Sequence, residues 1–275
     1  MFDSHCHLHD QRLRDITAQA VARAEQSGLR GLLLAGVDRE SWPLQDALRR
    51  TFHSPHFAIG VAYGVHPQII PELSLEQLPD QLTALREAAQ GRLTCDGKTL
   101  LAPHAIGELG LDSYTEQTRA ALPAQVTAFR DQLALARELD FPVVLHILRT
   151  HPESLRLLQQ DGLPKSGGVI HSYSGSAEQA RQYLALGLHL SFAGGVTRPN
   201  APRLWAALQE VPDDRLLVET DAPDQTPWPH RPALCEPSFL PAVIDSVALI
   251  RKQSPQHIAT ITCRNAQHLF RLEPL

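Results

Sequence analysis

Short apolar runs alternate with longer stretches of helical periodicity along most of the chain. The runs that predict buried strands lie at residues 2–5, 31–37, 58–63, 105–107, 143–147, 168–171, 188–192 and 216–219. Apolar residues spaced three and four apart predict a helix over 118–139, and shorter helices over 177–186 and 202–208. The predicted chain is therefore a repeated strand and helix unit.

Eight such units in 275 residues favour one architecture over the others. Continuous apolar strands that alternate with helices indicate a parallel sheet covered on both faces. We therefore expect a single (β/α)8 TIM barrel, formed by residues 1–275 as one domain with a C-terminal helical tail. The polar segment 91–103 is expected to be an irregular surface insertion at the opposite end from the site, and the proline-rich segment 223–237 an ordered loop over one barrel end.

Polar residues recur at or just past the carboxyl end of the predicted strands. Because side chains in a strand alternate between faces, His5 and His7 should point to the same side. The carboxyl ends of barrel strands converge on one rim, where barrel active sites lie. The residues at these positions are His5, His7, His66, Glu108, His146, His171 and Asp221.

Six of these residues predict a metal centre: His5, His7, Glu108, His146, His171 and Asp221. Imidazole and carboxylate ligands without a thiolate suit Mg, Mn, Zn, Fe or Co. Six ligands are too many for one tetrahedral zinc, and they suit two divalent ions roughly 3.5–4 Å apart. Glu108 is the expected bridging ligand because its strand lies between the others. A hydroxide held by the ions would be the nucleophile, and the ions would neutralise a phosphate or a tetrahedral oxyanion.

The motifs resemble those of the TatD family of metal-dependent hydrolases, within the amidohydrolase-like barrels, and are most similar to its YjjV-like branch. The matching segments run in family order: DSHCHLHD at 3–10, GVHP at 64–67, AIGELGLD at 105–112, PVVLHILRTH at 142–151, GVIHSYSGS at 168–176, AGGVT at 193–197 and LLVETDAP at 216–223. The resemblance implies that His5, His7 and Asp221 hold one metal, that His146 and His171 hold the second, and that Glu108 is shared.

The resemblance also implies an activity. Some family members are 3′–5′ deoxyribonucleases or RNases, and related members are linked to D-aminoacyl-tRNA deacylation. The expected function is a metal-dependent hydrolase that cleaves phosphodiester bonds, as a deoxyribonuclease acting on a nucleic-acid 3′ end or a small phosphodiester. The alternatives are a D-aminoacyl-tRNA deacylase or other ester hydrolase, and a non-catalytic metal-binding scaffold. Asp221 and Glu108 are the expected catalytic residues, with Asp221 also serving as general base.

Three further residues are candidates for substrate binding. His66 is expected to hydrogen-bond to substrate without binding metal, although a turn-stabilising role before Pro67 is an alternative. Ser174 precedes a predicted helix, whose N-terminal N–H groups favour anions, but N-capping would also explain a serine there. Arg149 follows the fifth strand and could hold a phosphate.

Two familiar features of related barrels are absent from the sequence. A carbamylated lysine cannot bridge the metals, because none of the three lysines ends a predicted strand. Many relatives carry Asn-Glu-Pro in the loop after the eighth strand, where this chain has Cys235, Glu236 and Pro237. A role for that asparagine side chain is therefore not expected here.

Composition restricts the partners and the compartment. With 25 Lys and Arg against 30 Asp and Glu, the formal net charge of −5 disfavours non-specific coating of nucleic acid. Phosphate affinity must then come from metals and a few arginines. The four cysteines contain no CxxC pair, and no apolar run is long enough for a membrane span, so we expect a cytoplasmic monomer without a signal peptide.

Overall fold

The structure, a computed structural model, describes residues 1–74 and 76–272, and its main sheet has eight strands. Their order in the sheet follows the chain, which confirms the predicted (β/α)8 barrel. These strands are β1 (Phe2–Cys6), β2 (Gly31–Ala35), β3 (Ala58–Tyr63), β6 (Ala105–Asp112), β7 (Val143–Leu148), β8 (Gly168–Ile170), β9 (His189–Phe192) and β10 (Leu216–Val218); β4 (Thr94–Cys95) and β5 (Lys98–Thr99) pair separately.

Helices follow the strands, and the C-terminal helix is present as predicted. The helices are α1 (Thr17–Gln26), α2 (Ser41–Phe52), α3 (Gln77–Ala89), α4 (Glu116–Ala120), α5 (Leu122–Leu139), α6 (His151–Asp161), α7 (Ala177–Ala185), α8 (Pro202–Gln209), α9 (Leu240–Arg251) and α10 (Pro255–Leu269). Within residues 1–74 and 76–272, none of them combines the length and apolar character that crossing a bilayer requires.

The chain divides into two compact units. Unit 1 contains Met1–Leu34, Thr51–Gly60 and Ile170–Leu275. In it β1 pairs in parallel with β2, and β9 pairs in parallel with β10. The chain just past β10 also bonds to β1, since the Asp221 N–H donates to the His5 carbonyl at 3.0 Å and the His7 N–H donates to the Ala222 carbonyl at 2.6 Å. The first strand thus lies beside the end of the last.

Unit 2 contains Ala35–Arg50 and Val61–Val169. Its central strand, β6, is buried along its whole length and pairs in parallel with both β3 and β7. Helix α5 packs on β6 and buries Phe129 and Leu133. Its Gln132 exchanges hydrogen bonds with the backbone of Val65, which fastens the helix to the loop after β3.

The register along β1 and β6 shifts at the positions that carry candidate ligands. The β1–β2 pairing slips between Asp3 and Cys6, and the β6–β7 pairing slips between Ile106 and Leu109. His5 lies in the first interval and Glu108 in the second. Such irregularities re-aim side chains at the ends of sheets and next to active sites.

Three local predictions differ from the structure. The helix expected over 118–139 is two helices, because Thr115 begins α4 with a capping box and Pro123 occupies the first turn of α5, where its missing N–H costs nothing. The segment 91–103 is not wholly irregular, since it contains the β4–β5 hairpin. Strand β6 runs to Asp112, so Glu108 lies inside it and not after it.

The apolar pattern predicts only residues 105–107 of β6, because glycine interrupts the pattern before the strand ends. Gly110 has a φ of +156° and sits so close to β7 that an added Cβ would lie 1.8 Å from the His146 carbonyl oxygen. Only glycine fits that position. Glycine usually interrupts a strand, but here Gly110 allows β6 to continue past the candidate ligands.

Candidate metal centre

In unit 1, four predicted ligands come together as a histidine–aspartate cluster, formed by His5, His7, His171 and Asp221. The Nε2 atoms of His5 and His7 are 3.2 Å apart, and each lies 3.7 Å from Asp221 Oδ1. The rings of His5 and His171 stack with centroids 4.0 Å apart. One donor atom from each of His5, His171 and Asp221 lies within 4.8 Å of the others, which is the spacing that a shared cation requires.

Glu219, one residue past the end of β10, accompanies His171 in this cluster. Its Oε1 lies 3.4 Å from His171 Nδ1 and accepts a 2.6 Å hydrogen bond from the Ser172 N–H. Burial alone would raise the pKa of Glu219, but His171 and His5 outweigh burial and hold that pKa below its usual range. An ionised carboxylate on Nδ1 directs the other ring nitrogen, Nε2, toward a metal.

Gln225 supports Asp221 from the proline-rich loop. Its Nε2 donates to Asp221 Oδ2 at 3.2 Å and also to the Ser172 hydroxyl. The loop reaches this position because Gly194 has no side chain: an added Cβ there would lie 1.7 Å from the Gln225 carbonyl oxygen. This close approach explains why the AGGVT motif has glycine at position 194.

Asp3 lies beneath the cluster and joins the two strands that carry it. Its carboxylate accepts from the Thr220 N–H at 2.9 Å, the Thr220 hydroxyl at 2.5 Å and the His5 N–H at 3.3 Å. Complete burial raises the pKa of Asp3 to about 8 despite these hydrogen bonds. Asp3 therefore fixes the backbone on both sides of the cluster.

Unit 2 holds a second group, the glutamate–histidine cluster, formed by His66, Glu108 and His146. Glu108 Oε1 is 3.0 Å from both His66 Nε2 and His146 Nδ1, and the two ring nitrogens are 3.2 Å apart. Glu108 is 1% exposed. Three donor atoms from these residues also satisfy the 4.8 Å spacing for a cation.

Asp112 controls the orientation of His146. Its Oδ2 lies 3.1 Å from His146 Nε2 and accepts from the Gln68 side chain at 2.8 Å, while Oδ1 accepts from the Tyr114 N–H at 2.7 Å. Burial opposes ionisation, but these partners outweigh burial and lower the pKa of Asp112 to about 2. An ionised Asp112 places the His146 proton on Nε2 and leaves Nδ1, beside Glu108, able to bind a metal.

A backbone hydrogen bond determines which ring nitrogen of His66 carries the proton. Its Nδ1 accepts a 3.0 Å hydrogen bond from the Gln68 N–H, so a neutral ring carries its proton on Nε2. That Nε2–H faces Glu108 Oε1. His66 in this tautomer donates to a metal-binding carboxylate and has no free lone pair there for a cation.

The remaining candidates lie at strand ends. Ser174 is exposed and does not cap α7; Ser176 does so, in a capping box with Gln179. Arg149 follows β7 directly, is exposed, and holds its guanidinium 4.5 Å from the ring centroid of Tyr114. Cys235 is buried, and its thiol donates to the Thr220 carbonyl. The residue at the position of the relatives' asparagine therefore packs against the backbone next to Asp221.

Sequence reasoning missed the acidic residues that orient the imidazoles or hold the backbone that carries them. Asp3 stands two residues before His5, and Asp112 stands four residues after Glu108, so strand periodicity could have placed each on the same side as its neighbour. Glu219 follows the last buried residue of β10 directly. Gln225 carries no comparable signal, because its position depends on the close approach of the loop to Gly194.

The donor sets fit divalent cations. Imidazole nitrogens and a carboxylate oxygen lie within 4.8 Å of one another among His5, His171 and Asp221, and also between His146 and Glu108. His146 and His171 each face a carboxylate on the opposite ring nitrogen, as metal-binding histidines do.

Comparison with known proteins identifies the family. A family model described as TatD related DNase matches residues 2–271. The chain belongs to the TatD family. An uncharacterized metal-dependent hydrolase of Bacillus subtilis, YabD, is 31% identical over 272 residues, with 99% of each chain covered. The TatD relative of Pantoea vagans named 3′-5′ ssDNA/RNA exonuclease is 35% identical over 99% of this chain and 100% of its own.

Solved structures agree with the TatD assignment. The crystal structure of the Escherichia coli TatD homologue YjjV is 27% identical, with a TM-score of 0.87 over 99% of this chain and 98% of that one. An organophosphorus hydrolase of Deinococcus radiodurans, 16% identical with a TM-score of 0.66, shares the fold. This TatD chain is thus a member of a metal-dependent hydrolase family.

Proposed function

We propose that this TatD-family protein is a divalent-metal-dependent phosphodiesterase that removes nucleotides from the 3′ end of single-stranded nucleic acid. The observation that supports metal dependence is the pairing of candidate ligands with orienting carboxylates, His146 with Asp112 and His171 with Glu219, and the hydrolase class is supported by the family match. The substrate class is supported by full-length relatives named 3′-5′ ssDNA/RNA exonuclease.

Six residues are the proposed metal ligands: His5, His7, Glu108, His146, His171 and Asp221. The barrel fold supports their use in one centre, since the carboxyl ends of parallel barrel strands form the active-site face. Two ions, with Glu108 shared, suit this number of ligands. When bound, such ions polarise the phosphoryl group and increase the acidity of water.

Asp221 is the proposed general base. Burial raises the pKa of its carboxyl above the usual range, although His171, His5 and His7 act in the opposite direction. Carboxylates in active sites commonly accept a proton from an attacking nucleophile. Gln225 keeps Oδ2 of Asp221 hydrogen-bonded, so the side chain presents Oδ1 toward the imidazoles.

Substrate contacts are assigned to residues at the strand ends. His66 is the proposed substrate contact beside Glu108, with its Nε2–H shared between Glu108 and a substrate oxygen, while Arg149 and Ser174 are the proposed phosphate contacts. We also propose that the protein acts as a cytoplasmic monomer of one domain. Four free cysteines are consistent with a reducing compartment.

The test uses purified protein, 3′-labelled single-stranded DNA and either Mg²⁺ or Mn²⁺. We expect Glu108→Ala and His171→Ala to lower kcat/KM at least a hundredfold, with Glu138→Gln, an exposed carboxylate on α5, as the matched control. Full activity in either alanine variant would remove the assigned residues from the site. A faster reaction with D-aminoacyl-tRNA than with DNA would favour the deacylase alternative.

A further inference from the structure

An arginine stacked on an exposed tyrosine lies at the carboxyl ends of β6 and β7. Tyr114 is 55% exposed, and with Trp228 it is one of two aromatic residues among the large exposed apolar side chains of the described chain. The Arg149 guanidinium lies 4.5 Å from the Tyr114 ring centroid. The two exposed side chains form a stack with one aromatic and one cationic component.

The backbone beneath this stack is fixed. The Tyr114 N–H donates to Asp112 Oδ1 at 2.7 Å, the Ser113 N–H donates to the Leu148 carbonyl at 3.1 Å, and the Ser113 hydroxyl donates to the Arg149 carbonyl at 3.2 Å. Arg149 itself has a φ of +59°, a left-handed conformation that the surrounding hydrogen bonds hold in place. The pair is thus presented by two neighbouring strand ends and not by a long loop.

One carboxylate, Asp112, connects the backbone of this stacked pair to the candidate metal ligand His146. One oxygen of Asp112 accepts from the Tyr114 backbone, and the other faces His146 Nε2 at 3.1 Å. The backbone that carries Tyr114 is thus connected through Asp112 to the glutamate–histidine cluster.

We propose that Tyr114 and Arg149 form a platform on which a base near the 3′ end of single-stranded nucleic acid stacks, with the guanidinium neutralising the adjacent phosphate. The proposal rests on the proposed exonuclease function and adds the contact that selects a base-bearing chain. Aromatic side chains and arginine planes are the usual partners of unpaired bases, and such stacking tolerates any base. The bond to be cleaved would then be presented by its neighbouring base.

The test measures binding without hydrolysis. The 5′-fluorescein form of a ten-nucleotide DNA strand and its analogue with two abasic 3′ positions are titrated in EDTA by fluorescence anisotropy. We expect Tyr114→Ala to raise Kd for the normal strand about tenfold and to leave Kd for the abasic strand unchanged. Tyr114→Phe keeps wild-type affinity, and Arg149→Ala weakens the binding of both strands.

Arg137→Ala is the matched control, because it removes one exposed charge from the far end of α5. Equal affinity of wild type and Tyr114→Ala for the normal strand would overturn the platform. Hydrolysis of DNA without any preference for a 3′ base would also overturn it and leave the proposed function intact. Base-dependent binding by a protein that hydrolyses no DNA would support the platform and refute the proposed function.

Discussion

Asp112→Asn isolates the contribution of an orienting carboxylate to metal binding. Asparagine keeps the shape of the side chain but puts an NH2 group where Oδ2 accepts from Gln68 at 2.8 Å and faces His146 Nε2 at 3.1 Å. The Gln68 amide can turn over and accept. His146 can accept only by moving its proton to Nδ1, the nitrogen that faces Glu108.

Two independent magnitudes agree for this substitution. A hydrogen bond to a charged group contributes about 1.5–3 kcal/mol. Changing the partner of a metal-binding histidine costs about 10- to 100-fold in affinity or activity, which corresponds to about 1.4–2.7 kcal/mol. We therefore expect Asp112→Asn to weaken binding of Mn²⁺ or Zn²⁺ by one to two orders of magnitude, with the fold retained.

Isothermal titration calorimetry of metal-stripped protein measures this effect directly. Asp131→Asn makes the same chemical change on an exposed position of α5 and should leave the metal Kd unchanged. If Asp112→Asn bound metal within twofold of the wild type, the argument that Asp112 sets the His146 tautomer would be wrong. Circular dichroism distinguishes loss of the site from loss of the fold.

Three further outcomes follow from described contacts. Gly194→Ala places a Cβ 1.7 Å from the Gln225 carbonyl oxygen and should lower the free energy of unfolding by about 1–3 kcal/mol. Gly195→Ala, whose Cβ would lie 3.4 Å from its nearest neighbour, should lower it little, and urea denaturation of the two variants measures the difference. Burial would raise the pKa of Glu236, but Arg23 outweighs burial and lowers it, so this ion pair stabilises the fold above the unfolded pKa of about 4.3. That contribution is lost as the pH falls through the folded pKa. The difference in the free energy of unfolding between wild type and Glu236→Gln, roughly 1 kcal/mol at pH 7, should therefore vanish in acid, and a difference that stays constant with pH would contradict this. Adding Mn²⁺ at about 100 times its Kd should raise the free energy of unfolding by about 2.7 kcal/mol, and thermal unfolding with and without EDTA checks this.

The proximity of the candidate ligands could be predicted from sequence because strand periodicity places alternate side chains on the same side. His5 and His7 are two residues apart on one strand, and their Nε2 atoms indeed lie 3.2 Å apart. The ends of the strands were harder to predict. The glycines of β6 are typical of a turn, but Gly110 lies within the strand, because β7 passes too close for a side chain at that position.

The contacts that orient the ligands could not be predicted in the same way. Gln225 reaches Asp221 through a loop whose course depends on Gly194, and nothing in local propensity indicates that approach. Arg149 meets Tyr114 because two strands end side by side, a tertiary relationship that residue spacing does not express. Local pattern thus predicts the donor atoms, while tertiary packing determines how they are held.

The hydrogen bonds between Asp3 and Thr220 join residues that are 217 positions apart in the chain. Closing a loop of that length has a large entropic cost, and proteins rich in such distant pairings fold slowly. During synthesis, β1 leaves the ribosome before the residues after β10 and has no access to them until the chain has been made past β10. A chain synthesised only as far as β9 therefore contains His5 and His7 without Asp221, so the histidine–aspartate cluster can form only after the segment that follows β10 has been made.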